Sequence, residues 1–517
     1  MIFTYSFWGV VDVGARLIFL LWGELMKHIA WLFFIIPGFF LGHMNTASAF
    51  CGFYVAGGDA SLFNDATQAV LMREGNRTVL SMQNNYDGPP EDFALVIPVP
   101  VVLQQENVKT LNVELFKKLD QLTAPRLVEY WEQDPCQLDW PGNEMSFATA
   151  DSANEEGGDV GVTIEAEFSV GEYDIVILGA DDAVALEGWL DSNDYNIPEG
   201  ASPYLDPYVD QGSYFFVAKV DPEKVTWAEE GGSSTGAVLS PLRFHYDSDI
   251  FSLPIRLGLI NAEGEQDLIV YTLGVNQRYE VANYDNVFIP TNIEVVNEVR
   301  DAFGEFYRTL FDEVLDANPE AVVTEYSWNA STCDPCPGPT LDQNDYYLLG
   351  ADVLFNEEEF GRNFVVTRLH ARYGAENLGE DLIFEEVGAV LGGREVRDEN
   401  DDIEQGVTQN ANVNNFQGRY IIRHPWEGTV LCVAPNYGNW GGPPNGESNS
   451  GPISAMSPNS EGTSANAEGT DVLSDDLNEL VLTPIPDLGI TGNTAPGIFG
   501  NGACGCQSHQ NSHTHSI

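Results

Sequence analysis

The chain has 517 residues, with 79 Asp and Glu against 22 Lys and Arg, a formal net charge of −57. Coulomb repulsion therefore excludes nucleic acid and anionic membrane surfaces as ready partners, and leaves cationic or envelope partners and divalent metals. Hydrophobic content of 43% and aromatic content of 11% are those of a folded protein, long enough for one large or two ordinary domains.

Met26-Lys27-His28 is a basic start, Ile29–Gly42 (IAWLFFIIPGFFLG) an apolar run, and Ala47-Ser48-Ala49 a small-x-small cleavage site. Together they predict a signal peptide cut near Ala49, a mature chain from Phe50-Cys51, and export to the periplasm, outer envelope or extracellular space. Residues 1–25 then read as over-extended translation ahead of a true start at Met26. The competing reading keeps Met1 and one or two N-terminal membrane anchors. Against it, Ile29–Leu41 falls short of the roughly 20 apolar residues a span needs.

A unit occurs twice in the next stretch. Leu80–Tyr86 (LSMQNNY) is answered by Leu273–Tyr279 (LGVNQRY), and apolar runs then close on Ile97-Pro98 and Ile289-Pro290. A helical stripe follows each: Leu115, Phe116, Leu119 and Leu122 after a cap at Asn112, then Val299, Phe303, Phe306, Leu310 and Val314. Glu129-Tyr130-Trp131 with Asp134-Pro135-Cys136 is matched by Glu325-Tyr326 and Trp328 with Asp334-Pro335-Cys336. Gly171–Ile175 (GEYDI) is matched by Gly379–Ile383 (GEDLI). The expectation is an α+β fold of two similar units of mainly antiparallel sheet with packed helices, at Asn112–Leu122 and Ile293–Leu315. Each helix must lay its apolar stripe on a sheet to bury it.

Between the units, Val184–Leu190 (VALEGWL) reads as helix, Asp191–Gly200 as turn and Tyr214–Val220 (YFFVAKV) as a buried strand. The predicted organisation is a globular region at 50–433, with a first unit at about 50–180, an intervening segment at 181–250 and a second unit at about 251–433. A low-complexity, disordered acidic tail follows at 434–517. Pro435–Thr470 is too rich in Gly, Pro, Ser and Asn to repay the entropy of ordering. Asp471–Ile490 regains apolar residues and reads as a short appended strand or helix.

Seven cysteines lie beyond the signal: Cys51, Cys136, Cys333, Cys336, Cys432, Cys504 and Cys506. In an exported chain disulfides are the default. A local Cys333–Cys336 bridge and a long-range Cys51–Cys136 bridge are expected, with Cys432 an unpaired core thiol. Cys504 and Cys506 belong to the tail, where with His509, His513 and His515 they suit a metal or a tight disulfide. The spacing of Cys333-Asp334-Pro335-Cys336 also occurs in redox sites, but Pro337-Gly338 prevents the helix that would depress a thiol pKa.

Other motifs are weaker. Gly232–Gly236 (GSSTG) has the nucleophile-elbow pattern without the strand before it or the helix after it, and reads as a surface loop. His245, Asp247 and Asp249 would share one strand face as candidate metal ligands. His370 and His424 are isolated. Asp398, Asn400 and Asp402 open like a calcium loop, but Ile403 and Gln409 replace its Gly and Glu. The cofactor is unknown, with calcium left open. No phosphate-cradling or dinucleotide-binding pattern is present.

The blocks Cys51–Tyr86 (CGFYVAGGDASLFNDATQAVLMREGNRTVLSMQNNY), Pro125–Cys136 (PRLVEYWEQDPC), Tyr214–Val225 (YFFVAKVDPEKV) and Asn276–Asn292 (NQRYEVANYDNVFIPTN) resemble the exported bacterial family catalogued as domain of unknown function 2330. The resemblance implies a secreted or envelope protein and carries no activity or catalytic residues with it. The leading expectation is an exported, non-enzymatic binding or structural protein of the envelope or extracellular space. The alternative is a secreted hydrolase or metal-dependent enzyme with a site between the two units. A cleft lined by His, Asp and Glu would favour the enzyme, and an exposed apolar patch would favour binding.

Overall fold

In the computed structural model the described residues are 53–56, 63–87, 93–136, 166–180, 182–193, 201–230, 233–260, 265–356, 363–374, 377–395, 403–443, 453–454, 474 and 476–493. The expected signal segment, the calcium-loop residues Asp398, Asn400 and Asp402, and Cys51, Cys504 and Cys506 lie outside them. The chain divides into two units after Thr46, and everything described below belongs to the unit Ala47–Ile517.

The principal strands are β1 (Phe63–Glu74), β2 (Arg77–Asp87), β3 (Arg126–Glu132), β4 (Leu242–Asp247), β5 (Gln266–Val275), β6 (Val322–Asn329), β7 (Phe364–Tyr373) and β8 (Arg419–His424). Two helices matter most, α1 (Val113–Thr123) and α2 (Phe303–Ala317). An eleven-stranded mixed sheet runs β6-β7-β5-β1-β2-β4 through its centre. Its β1–β5 pair is parallel and its β5–β7 and β1–β2 pairs are antiparallel. The sheet therefore takes strands from both expected units and from the segment between them.

Burial explains this position for β5. Leu268 and Val270 join the core on one face, and Ile269, Tyr271 and Leu273 join the core on the other. A strand that is apolar on both faces must lie inside a sheet covered on both sides. One cover is a five-stranded sheet whose Leu95, Ile97, Ile175, Ile177 and Phe216 pack against Leu71, Leu80, Phe244, Leu268 and Val270. Helices Ala183–Ser192 and Ser202–Asp210 close the far side of that sheet. The other cover is α1 and α2.

Helix α1 begins where its sequence says it should. The Asn112 side chain accepts from the Glu114 backbone N–H at 2.9 Å, and Leu115, Phe116, Leu119 and Leu122 are buried. Asn112→Ala is expected to cost about 1 kcal/mol through the lost cap, read as a lower midpoint in chemical denaturation. The second helix starts later than its stripe suggests. Ile293–Glu294 is a strand and Asn297–Ala302 a 3-10 turn, and α2 proper opens at Phe303.

The internal duplication is not confirmed. Leu80–Tyr86 lies wholly within β2, whereas Leu273–Tyr279 ends β5, turns, and enters the strand Arg278–Val281. Gly274 and Asn276 permit that turn. A Cβ on Gly274 would lie 2.5 Å from the Gln277 carbonyl oxygen, and Asn276 takes a φ of 53°. The strands that follow the two helices also part company. β6 lies inside the large sheet, but β3 joins a separate sheet with β8, Trp440–Gly441 and Ile453–Ser454.

The boundary expected at 433 moves as well. Leu477, Leu480, Val481, Ile485 and Ile490 are buried against α2, and the Leu482 N–H donates to the Glu294 carbonyl at 2.7 Å. Residues 476–493 thus complete the core around α2, which needs more apolar cover than the residues before 433 supply.

Candidate functional site

β3 and β8 are parallel neighbours, so their C-terminal ends lie side by side. Asp134-Pro135-Cys136 follows β3, and Pro425 follows His424 at the end of β8. Their continuations meet in a disulfide between Cys136 and Cys432, with a Cα–Cα distance of 5.5 Å. This corrects the expected Cys51–Cys136 pairing and the reading of Cys432 as a free core thiol. Nothing in local spacing signals a parallel pairing between strands nearly 300 residues apart.

The disulfide pins the loop 427–439, and backbone contacts hold it on both sides. The Asn436 N–H donates to the Pro135 carbonyl at 2.9 Å and the Gln133 N–H to the Asn439 carbonyl at 2.8 Å. Buried Glu132 accepts from the Trp426 N–H at 3.0 Å through one oxygen and from the Gly438 N–H at 2.8 Å through the other. Beneath the loop His424 stacks on Trp131 at 4.7 Å, and its Nε2 lies 2.7 Å from Glu129. On this tethered frame Leu431 is 86% exposed, Val433 104% and Tyr437 57%. Three large apolar side chains within seven residues thus stand exposed on a loop tethered by a disulfide, an apolar tip.

The second disulfide joins Cys333 and Cys336, with Cα atoms 4.9 Å apart and a cis Asp334–Pro335 bond between them. Its loop is docked through carbonyls. The Asp334 oxygen accepts from Gln417 at 2.6 Å, the Pro335 oxygen from Arg126 at 2.8 Å, and the Pro337 oxygen from Gln121 at 2.9 Å.

Of the expected metal ligands, His245 and Asp247 stand two residues apart on one face of β4, and Asp249 does not join them. β4 ends at Asp247, and Asp249 lies in the bend beyond it. Asp247 is bonded to Arg77 Nε at 2.8 Å, and Asp249 accepts from Asn76 at 2.8 Å. His245 Nε2 sits 3.1 Å from Asn107 Nδ2 in a shallow groove that Arg77 and Tyr246 also line. Burial, with the charges of Arg243 and Arg77, lowers the His245 pKa. Among the described residues no group of three or more His, Cys, Asp or Glu is arranged to hold a metal ion. Ser233 to Gly236 form part of a strand paired with Thr226–Glu230 rather than a surface loop.

The densest set of titratable groups is buried between the large sheet and the two helices. Arg368 on β7 is bonded to Asp120 of α1 and to Glu325 of β6, and donates to the Tyr271 hydroxyl at 3.1 Å. Glu325 also accepts from the Tyr307 hydroxyl of α2 and lies 2.7 Å from His370 Nδ1. The His370 ring stacks on Phe311 at 3.9 Å, and its Nε2 approaches Asp267 to 3.4 Å without a well-aligned hydrogen bond. Arg372 extends the chain of charges from Asp267 at 2.8 Å to Asp312 at 2.5 Å. Burial alone would raise the Glu325 pKa, but His370 and Arg368 outweigh it and hold it at about 2. Burial pushes His370 down, but Glu325 and Asp267 win and raise it. These groups pair with one another in a buried interface, which is the arrangement of a structural clasp.

The sequence carries a signal for this network that motif searching missed. Asp120 stands on the apolar stripe of α1, and Glu325 and Arg368 interrupt the runs Val322–Trp328 (VVTEYSW) and Val365–Tyr373 (VVTRLHARY). Charges at buried positions require partners.

A family model described as an uncharacterized protein conserved in bacteria, DUF2330, matches residues 45–385. The chain belongs to the DUF2330 family. No curated protein matches the sequence. Among solved structures, the crystal structure of baculovirus P35 is similar over 63% of this chain and 98% of its own, at 11% identity and a TM-score of 0.24. A likeness that slight carries no argument. The match to DUF2330 ends before β8, so Cys432 and the apolar tip lie outside the matched residues.

Proposed function

We propose that this DUF2330 member is an exported, non-enzymatic binding module of the envelope or extracellular space, and that it docks a partner protein through the loop 427–439. The carrying observation is the exposure of Leu431, Val433 and Tyr437 on a disulfide-pinned frame. Exposed apolar residues scattered singly need no explanation, but three within seven residues of a tethered loop suit an interaction surface. Tyrosine is also among the residues enriched at interface hot spots. The net charge of −57 favours a protein partner over an anionic membrane surface.

Export is supported by the two disulfides, which persist in oxidising compartments. No helix among the described residues is long and apolar enough to cross a membrane. A non-enzymatic role is supported by the engagement of His370, Glu325, Asp120 and Arg368 with one another beneath the helices.

A photoreactive residue placed at Val433 in living cells tests the reading. The expected result is a discrete crosslinked partner in the exported fraction, lost with Leu431→Asp or Tyr437→Asp. With the partner purified, either substitution should weaken binding at least tenfold, about 1.4 kcal/mol or more. A protein confined to the cytoplasm with free thiols, or crosslinks indifferent to both substitutions, would overturn it.

A further inference from the structure

Among the described residues five arginines are buried: Arg126, Arg243, Arg278, Arg368 and Arg419. Three have carboxylate partners, Asp352 for Arg243, Glu280 for Arg278, and Asp120 with Glu325 for Arg368. Among the described residues Arg126 and Arg419 have none. These two are register partners on the parallel strands β3 and β8, so they stand side by side on one face of the sheet. Both are 0% exposed.

Their hydrogen bonds are incomplete. Arg126 donates through Nη1 to the Pro335 carbonyl at 2.8 Å and through Nη2 to the Leu122 carbonyl at 2.6 Å, but its Nε has no partner. Arg419 donates through Nη2 to the Tyr130 hydroxyl and lies over that ring at 5.5 Å, but its Nε and Nη1 have none. Isolated buried charge is costly, and two like charges at adjacent positions add repulsion. Burial first, then the charges of Arg419 and Arg368, lower the Arg126 pKa to about 10, against attraction from Tyr326 and Asp334. Asp334 attracts Arg126 from outside ion-pair distance, and Arg419 reaches Glu395 only through the Tyr130 hydroxyl, so neither guanidinium has a carboxylate in direct contact.

We propose that Arg126 and Arg419 form a buried anion site that binds one small monoanion of the halide class. The unpartnered N–H groups supply its donors. Complete burial limits the ligand to a compact ion that sheds its water. A single negative charge between two guanidinium groups relieves their repulsion, and a guanidinium stays charged at any physiological pH. The site fastens the sheet of β3 and β8 to the Cys333–Cys336 loop through Arg126, so occupancy should raise the stability of the folded chain.

The test is thermal unfolding of the mature protein in sodium chloride and in sodium gluconate at equal ionic strength and pH. A ligand that binds only the folded state raises Tm with the logarithm of its concentration. For a chain of this size that is about 1–2 °C per tenfold increase above the dissociation constant. The expected result is this rise in chloride, its absence in gluconate, and its loss in Arg419→Met, whose side chain keeps the length without the donors. An equal chloride response in Arg419→Met would overturn the proposal. Crystals of the unsubstituted protein grown in bromide provide a second measurement, independent of whether the variant folds and of saturation. An anomalous peak between the two guanidinium groups supports the site. The absence of both a chloride response and such a peak refutes it.

Discussion

Arg368→Met is expected to lower the unfolding free energy by about 3–5 kcal/mol. The guanidinium is fully enclosed and serves Asp120 on α1, Glu325 on β6 and the Tyr271 hydroxyl together. Removing it leaves two buried carboxylates without the positive charge they share. The loss therefore exceeds the net contribution of the pair, because it includes the cost of a stranded buried charge. Urea denaturation at pH 7 measures it, and a loss below about 1 kcal/mol would show that the network is wet and replaceable.

The same network sets a pH dependence. Glu325 is held at about 2 in the folded chain, below its unfolded value of about 4.3. Its contribution is present above about pH 4.3 and is lost as pH falls through about 2. His370 is raised by Glu325 and Asp267 once their attraction outweighs burial. Its contribution is fully present below about pH 6.5 and is lost as pH rises through the elevated folded value. The expected profile falls on both sides of a mildly acidic maximum. Glu325→Gln should flatten both limbs, because it removes one titrating group and the main partner of the other. An unchanged alkaline limb in that variant would place its origin elsewhere.

The second large effect is the Cys136–Cys432 disulfide, which joins residues 296 apart in sequence. A crosslink removes more freedom from the unfolded chain the longer the loop it closes. The Cys136→Ser, Cys432→Ser double variant should lose about 2–4 kcal/mol of stability. The Cys333→Ser, Cys336→Ser double variant, which opens a loop with a separation of 3, should lose about 2 kcal/mol or less. Denaturant midpoints of the two variants give the comparison, and the reverse order would contradict the chain-entropy account. The longer bridge also carries a functional consequence. Without it Leu431, Val433 and Tyr437 are no longer held in one arrangement, so partner binding should weaken even where the rest of the protein stays folded.

Local chemistry was legible in the sequence. The cap at Asn112 and the stripe of Leu115, Phe116, Leu119 and Leu122 specify α1, because a helix is stabilised by groups within a few residues of one another. Tyr214–Val220 reads as a buried strand and is one. The closeness of Cys333 and Cys336 follows from short chain length alone. Residue patterns failed where they were asked to name neighbours. The matches Leu80–Tyr86 and Leu273–Tyr279 share composition but differ in backbone, because a left-handed Asn276 turns one chain while the other runs straight.

The sequence by itself determined which residues must be buried, where α1 begins, the acidic balance and the family. Only the tertiary structure decided which buried residues meet. Alternation along a strand specifies a face but not the strand beside it. The parallel pairs β1–β5 and β3–β8 are therefore silent in the sequence, and with them the disulfide to Cys432 and the adjacency of Arg126 and Arg419. Asp120, Glu325 and Arg368 each stood out as a charge in an apolar run. Their common meeting point exists because α1 and α2 cover the same face of one sheet, and packing geometry alone sets that.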